Sequence, residues 1–320
     1  MPQPTQNQVH VDSILTNISV AYMQSQDVYI NQKVFPVVSV DKQSDLYFVY
    51  RKGDWFRDEA QLRADGVESA GSGYTLASEG YSARVWAIHK DVGPQVRQNY
   101  DNPLDADRDA ARFVMNRLML RQEVQWVNDY FKSGVWATDI TLAAGLKWDV
   151  YATSNPAGDI RTAQLAMLQS TGLEGNTLIV GAQVDAALKG HPGIKDQFKY
   201  TSSASVTEDM IANYLGVGKY LVAKAVRNTA EEGAVDAMSL LFGKHALLVH
   251  AAPDPGLLVP SAGYTFMWKG ISHGIGANLS IYKIPMDMLG LGTQRVEGQI
   301  AYVNKVVASD LGYFWNAVIT

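Results

Sequence analysis

Carboxylates are plentiful in this 320-residue chain and histidines are few. The adjacent acids Asp58-Glu59 and Glu231-Glu232 are the starting point for a carboxylate-dependent hydrolase, which needs one acid held protonated and another held ionised around one bond. Adjacency in sequence supplies neither convergence on a substrate nor separated protonation states. The six histidines, His10, His89, His191, His245, His250 and His273, are scattered, and His245 and His250 would fall on opposite faces of a strand. The sequence has no His-Glu-x-x-His pair, no Gly-x-Ser-x-Gly elbow and no Gly-x-Gly-x-x-Gly turn, and Gly243-Lys244-His245 lacks the hydroxyl residue of a phosphate loop. Cysteine is absent, which excludes disulfides and thiolate metal sites. The residues therefore predict no catalytic site, no metal and no cofactor. A hydrolase is the distant alternative.

Composition narrows the class further. A hydrophobic content of 47% supplies a sizeable core. The 27 Lys plus Arg against 32 Asp plus Glu give a net charge of -5, so no overall positive field exists to grip nucleic acid, while the near balance tolerates many protein neighbours. The polar stretch from Met1 to Val11 does not resemble a signal peptide, and no run of about 18 apolar residues spans a membrane. Folding in a cytosolic environment is the expectation.

The elements that would position any functional residue come in a definite order. Residues 2–32, polar with spaced apolar residues, read as a short helix or as an arm laid against another surface. Val34 to Val38 reads as extended and at a sheet edge, because Pro36 lacks a donor and biases Phe35 away from helical geometry. Leu46 to Tyr50 and Tyr81 to Lys90 are strands. Lys52 to Arg84 carries five glycines and ten charged residues, too little apolar surface for a core of its own, and an isolated hairpin needs outside contacts. Asn102-Pro103 predicts the start of a helix of about 28 residues, roughly 42 Å long, with Phe113, Leu120, Val124, Val127 and Phe131 as its apolar positions. A second helix is bounded by Asp159 as cap and Gly172 as stop. Short helices over Val184–Leu188 and Glu208–Tyr214 and strands at Thr177–Val180 and Tyr220–Val226 make a mixed region. Strands then dominate at Leu247–Val249, Tyr264–Trp268, Leu279–Ile284 and Val296–Val307. This is not the regular alternation of a doubly wound enzyme.

Several blocks recur in the order found in one family: Ser154-Asn155-Pro156, Asn176-Thr177-Leu178-Ile179-Val180-Gly181, Leu188-Lys189-Gly190-His191-Pro192, Tyr214-Leu215-Gly216-Val217, Phe242-Gly243-Lys244-His245-Ala246, and Leu311-Gly312-Tyr313. With them, the chain resembles the major capsid proteins of tailed double-stranded DNA phages, in the short HK97-like form without a fused scaffolding domain. The resemblance implies an α+β HK97-like fold. It places an N-terminal arm and first strand at 1–45, an extended β-hairpin loop at 46–92, and a peripheral domain at 93–174 that includes a spine helix at 103–132. A mixed α/β axial domain follows at 175–288, and 289–320 returns to the peripheral domain.

The resemblance also implies assembly of the chain with itself, as pentamers and hexamers, into an icosahedral virion head built in the host cytoplasm. A portal protein, a separate scaffolding protein and a decoration or cement protein are the implied partners, with packaged double-stranded DNA touched without sequence reading. A nanocompartment shell of the encapsulin type is the alternative. Intersubunit contacts are expected at Lys52, Trp55, Phe56, Arg57, Asp58, Glu59, Arg63 and Glu68. Arg108, Arg112, Arg117 and Arg121 are candidate charges of the inner face or of subunit contacts. Members of this fold can cross-link covalently, but Lys52 alone does not establish that chemistry, and non-covalent assembly is the simpler expectation.

Overall fold

The computed structural model describes residues 23–100, 105–198, 207–256, 258–271 and 280–320. The strands are β1 (Val37–Val40), β2 (Ser44–Tyr50), β3 (Leu76–Ser82), β4 (Arg84–Val92), β5 (Thr138–Thr141), β6 (Thr177–Gly181), β7 (Lys219–Ala223), β8 (Val226–Asn228), β9 (Met238–Leu240), β10 (Ala246–Val249), β11 (Gly263–Trp268), β12 (Ser280–Pro285), β13 (Gln294–Val306) and β14 (Gly312–Asn316). The helices are α1 (Asn31–Val34), α2 (Lys52–Trp55), α3 (Pro94–Gln98), α4 (Ala106–Tyr130), α5 (Pro156–Thr171), α6 (Ala182–Gly190), α7 (Pro192–Phe198) and α8 (Glu208–Leu215).

Two five-stranded sheets organise the chain. In the first, β13 pairs along one edge with β4 and along the other with β12 and then β11, while β1 adds in parallel to β11. In the second the order is β5-β14-β10-β6-β7. The chain passes from the second sheet to the first after β10 and back between β13 and β14, so β14 joins β10 and β5 while β11 and β12 join β13.

Both faces of the second sheet are buried, which explains its unbroken apolar strands. Leu178, Val180, Leu248 and Trp315 point into a core under α5, α6 and α8, whereas Ile179, Leu247, Val249 and Phe314 pack on the other face with Trp126, Phe131 and Phe242. Strand alternation alone sorts these neighbours.

The long helix bridges the two sheets. Val114 and Leu118 lie on Met267, Ile300 and Tyr302 of the first, and two turns on Trp126 and Tyr130 enter the core against the second. It is capped by Asp105, whose Oδ1 accepts the amides of Asp107 and Arg108. Its 25 residues make it shorter than the expected 103–132, and Asn102-Pro103 lies outside the described residues. The buried stripe runs through Ala110, Val114, Leu118, Gln122, Trp126 and Tyr130 rather than Phe113, Leu120 and Val124. Phe113 is exposed and carries cations instead, because Lys90 and Arg117 sit over its ring at 5.4 and 5.1 Å. Buried Gln122 and Glu123 hid the true period.

Four further expectations change. The cap of α5 is Asn155, which accepts from Gly158 N at 3.1 Å; Asp159 lies inside the first turn and instead accepts Trp148 Nε1 at 2.9 Å. The expected stop holds, since Gly172 ends the helix at φ +73°. Val34 closes the one-turn helix α1, so the extended stretch begins at Phe35, and β1 is an edge strand as Pro36 requires. The strand expected at Tyr220–Val226 is two strands, with Val226 starting a separate hairpin. The strand expected from Tyr81 is broken at Ala83, where β3 turns into β4.

Candidate assembly surfaces

One exposed apolar surface belongs to the hairpin β2/β3, paired over seven residues from Ser44↔Ser82 to Tyr50↔Leu76. Alternation divides its residues between two faces. Tyr47 and Tyr81 turn inward and stack on Phe266 of β11 at 5.5 and 4.7 Å, and the Tyr47 hydroxyl donates to Glu79 at 2.8 Å. Leu46, Phe48 and Tyr50 turn outward with Leu76 beside them, and Phe48 is 69% exposed. Sequence reading placed a strand here without singling out that outward face. Its signal was the every-second-residue spacing of Leu46, Phe48 and Tyr50.

Beyond the hairpin, residues 51–75 fold on local contacts. Tyr50, Trp55 and Tyr74 form a three-ring cluster with centroids 5.8–6.1 Å apart. The Asp54 carboxylate accepts Thr75 N at 2.8 Å and the Thr75 hydroxyl, and these bonds hold it below the ordinary Asp range. Arg57 approaches Asp54 at 3.5 Å and Glu59 at 3.7 Å, Glu59 accepts the Ser72 hydroxyl, and Arg63 Nε donates to Val67 O at 2.5 Å. Asp58 and Glu68 are exposed, and Leu62 projects fully into solvent.

Two residues of the set touch the chain's own body. Lys52 pairs with the Asp310 carboxylate, and the Phe56 ring lies against Gly172 at the end of α5. The predicted contact residues are thus brought onto one excursion, in which Trp55, Arg57, Glu59 and Arg63 shape the loop while Lys52 and Phe56 seat it. A second exposed apolar feature was missed altogether: the turn between β12 and β13 presents Met288, Leu289 and Leu291, with Met288 98% exposed.

The four arginines of the long helix do not form one patch. Nine residues separate Arg108 from Arg117 and Arg112 from Arg121, which places the two pairs about half a turn apart. Arg108, Arg112 and Arg117 are exposed. Arg121 stacks over Trp86 at 4.0 Å and donates to Gln125 at 2.8 Å, and Gln125 in turn donates to Asp129 at 2.8 Å. Asn304 of β13 completes the chain by donating to Asp129 at 2.9 Å. Arg121 therefore braces helix against sheet.

The residues with catalytic potential are held in structural roles. His191 is buried, its Nδ1 accepts Gly193 N at 3.1 Å, and its Nε2 lies 3.1 Å from Ser154 Oγ. Burial lowers its pKa, which favours the neutral ring. With Nδ1 accepting, the neutral ring carries its proton on Nε2 and donates to Ser154, the reverse of a general base. Asp58-Glu59 and Glu231-Glu232 lie on exposed loops without a shared cleft. Among the described residues, no three His, Asp or Glu side chains gather as a metal site; His10 and His273 lie outside them.

No protein-family model matches the chain. It is 25% identical over 281 residues to the major capsid protein of Burkholderia phage BcepMu, spanning 81% of this chain and 84% of that one. Its fold superposes on a phage-related protein from Bordetella bronchiseptica with a TM-score of 0.70, at 20% identity and covering 92% and 94% of the two chains. Over most of its length the chain is thus similar to a phage major capsid protein, and it shares the fold of a phage-related protein. The same fold appears in the holo-SrpI encapsulin complex from Synechococcus elongatus, with a TM-score of 0.58, 15% identity and coverage of 96% and 95%. Exposed apolar side chains on the β2/β3 hairpin and at the β12/β13 turn form two patches on the described surface.

Proposed function

We propose that the chain is the major capsid subunit of a tailed double-stranded DNA phage, assembling as pentamers and hexamers into an icosahedral head. The observation that carries this reading is the sequence relationship to a phage major capsid protein over most of both chains. In this reading the expected loop of residues 46–92 keeps β4 in the body's own sheet, while residues 51–75 and the outward face of β2/β3 reach an adjacent subunit and bury Leu46, Phe48, Trp55 and Leu62 there. Closed symmetry gives such surfaces partners that a single chain lacks. Arg108, Arg112 and Arg117 supply charge for diffuse phosphate contact or for neighbouring carboxylates. Portal, separate scaffolding and decoration proteins are the expected partners, the virion is the destination, and host cytoplasm is the place of assembly.

The likeness to an encapsulin sustains a second reading, a closed protein nanocompartment. Electron microscopy of particles from the native host separates the two: a genome-filled head joined to a tail supports the phage reading, and a small shell with protein cargo supports the other. Stable monomers under every assembly-promoting condition, seen by native mass spectrometry, would sink both.

A further inference from the structure

Midway along the excursion the chain turns sharply at Asp65-Gly66, the single Asp-Gly pair in the sequence. Ala64 O accepts Val67 N at 3.3 Å, and Gly66 has φ +75° while Asp65 is not among the residues with positive φ, so this is a type II turn with glycine at its third position. Arg63 Nε donates to Val67 O at 2.5 Å and ties the two arms of the turn. Asp65 and Gly66 are both exposed, and a Cβ added at 66 would meet nothing within 4 Å. Among the described residues, neither the Asp65 carboxyl group nor the Gly66 N–H has a hydrogen-bond or ion-pair partner. The two other aspartates of the excursion differ on these counts. Asp54 accepts Thr75 N and the Thr75 hydroxyl and is followed by Trp55. Asp58 is exposed but is followed by Glu59, whose side chain crowds the amide that would have to approach.

We propose that Asp65 is a site of spontaneous backbone isomerisation, in which Gly66 N closes on the Asp65 carboxyl group and the turn reopens as an isoaspartyl link. In the first step the bond from Gly66 N to Asp65 Cγ forms, and the amide proton and the carboxyl hydroxyl leave together as water. The product is a cyclic imide. Glycine favours this closure because no Cβ hinders its nitrogen. In the second step water adds to one of the two imide carbonyls. Breaking the bond from nitrogen to Cγ restores aspartate, whereas breaking the bond from nitrogen to the Asp65 main-chain carbon leaves Gly66 joined through Cγ. One water leaves and one returns, so nothing is oxidised or reduced and the mass is unchanged.

The isoaspartyl link carries the main chain through Cβ and Cγ of Asp65, which lengthens the turn by one carbon. A lengthened turn cannot hold both the Ala64–Val67 bond and the Arg63–Val67 tie in their present frame. The change falls beside Leu62, which projects fully into solvent, and outside both sheet cores. Freshly made and aged chains would then differ in shape at the tip of the excursion. This goes beyond the capsid reading, since the chemistry needs only water and time.

The test holds the unassembled full chain at neutral pH for increasing times, with a zero-time sample as background, and digests it for mass spectrometry. Electron-transfer fragmentation of peptides spanning 58–71 distinguishes isoaspartate from aspartate. Isoaspartate at 65 should rise with time and stand several-fold above that at Asp54 and Asp58. In Gly66→Ala the rise should be several-fold slower, and in Asp65→Glu it should vanish. Hydrogen exchange of aged wild type should show lost protection over residues 63–67 that aged Asp65→Glu does not show, while residues 177–181 hold theirs in both. Isoaspartate at 65 no higher than at Asp58, or an equal rise in Gly66→Ala, overturns the site. Unchanged protection over 63–67 in chains that do carry isoaspartate overturns the loosened turn. None of these readouts depends on whether particles form.

Discussion

Gly298 of β13 lies directly beneath Val114 of the long helix, so close that a Cβ at 298 would stand 2.5 Å from Val114 Cγ1 and 2.8 Å from Leu118 Cδ1. The missing side chain sets the distance between helix and sheet. Ile300 and Tyr302 continue the contact along the same face of β13, so the helix rests on the strand at a depth that only glycine permits.

Gly298→Ala should therefore destabilise the subunit by about 1–3 kcal/mol, because an added methyl in a packed contact forces shifts of both elements. Calorimetry of the unassembled chain checks this. The paired variant Gly298→Ala with Val114→Ala should recover part of the loss, and a substitution without any fall in Tm would mean the helix is less tightly seated than its geometry requires.

At the start of α5, Asn155 and Asp159 make opposite demands on a mutational test. Asn155→Ala removes the side chain that accepts Gly158 N and should cost about 1 kcal/mol. Asp159→Asn keeps an acceptor for Trp148 Nε1 and removes a carboxyl whose charge burial already disfavours, so it should cost little. Chemical denaturation of both variants distinguishes the true cap from the residue that sequence spacing suggested.

That reversal shows how far the sequence could be read. Strands β6, β10, β11 and β13 were legible because buried strands are unbroken apolar runs and the long β13 has little else to be. The face of α4 was not, because two sheets and the 24–35 segment share it, and a helix serving three neighbours has no single apolar stripe. The loop was legible as a poor core, from its glycines and charges, whereas Trp55, expected at a subunit contact, packs with Tyr50 and Tyr74 of its own loop. The outward face of Leu46, Phe48 and Tyr50 required the register with β3 to be known, and the seating of Lys52 on Asp310 joins residues 258 apart, beyond the reach of any local pattern.

Acid sensitivity should trace in part to the Asp91–Arg295 pair that joins β4 to β13, bidentate at 2.8 and 3.0 Å. The hydrogen bonds from Arg295 hold the Asp91 carboxyl below its ordinary pKa. A lowered native pKa gives stability that is present above the unfolded value of about 3.9 and is lost as pH falls below it. Asp91→Asn should therefore be less stable than wild type at about pH 6, and the gap should narrow as pH falls from the unfolded value through the lowered pKa of Asp91. Paired melting curves across that range provide the check; a gap that persists at low pH would assign the loss to packing.

The outward hairpin face separates folding from assembly. Phe48→Ser combined with Leu46→Ser removes exposed apolar surface that the subunit does not use for its own core, so the stability of the unassembled chain should change by no more than about 0.5 kcal/mol. Particle yield should drop, because the proposed neighbour would lose two buried side chains, each contributing about 1.5–3 kcal/mol when fully covered. Sedimentation of assembly reactions reads this directly.

Shortening the excursion is the most demanding test. Deleting residues 58–71 and bridging the gap with a short glycine linker spares β2, β3, the Tyr50–Trp55–Tyr74 cluster and the Lys52–Asp310 seat. It removes Leu62, Arg63, Val67 and Glu68, which make no contact with either sheet core. The body should melt at the wild-type temperature, since it loses only locally bonded, exposed chain. Closed particles should form more slowly or fall apart at lower denaturant concentration, because assembly stabilises each subunit by mass action and the loop is part of the proposed contact with the neighbour. Electron microscopy and light scattering of matched preparations would decide it: particles equal to wild type in rate and stability would reduce residues 58–71 to an ordinary surface loop.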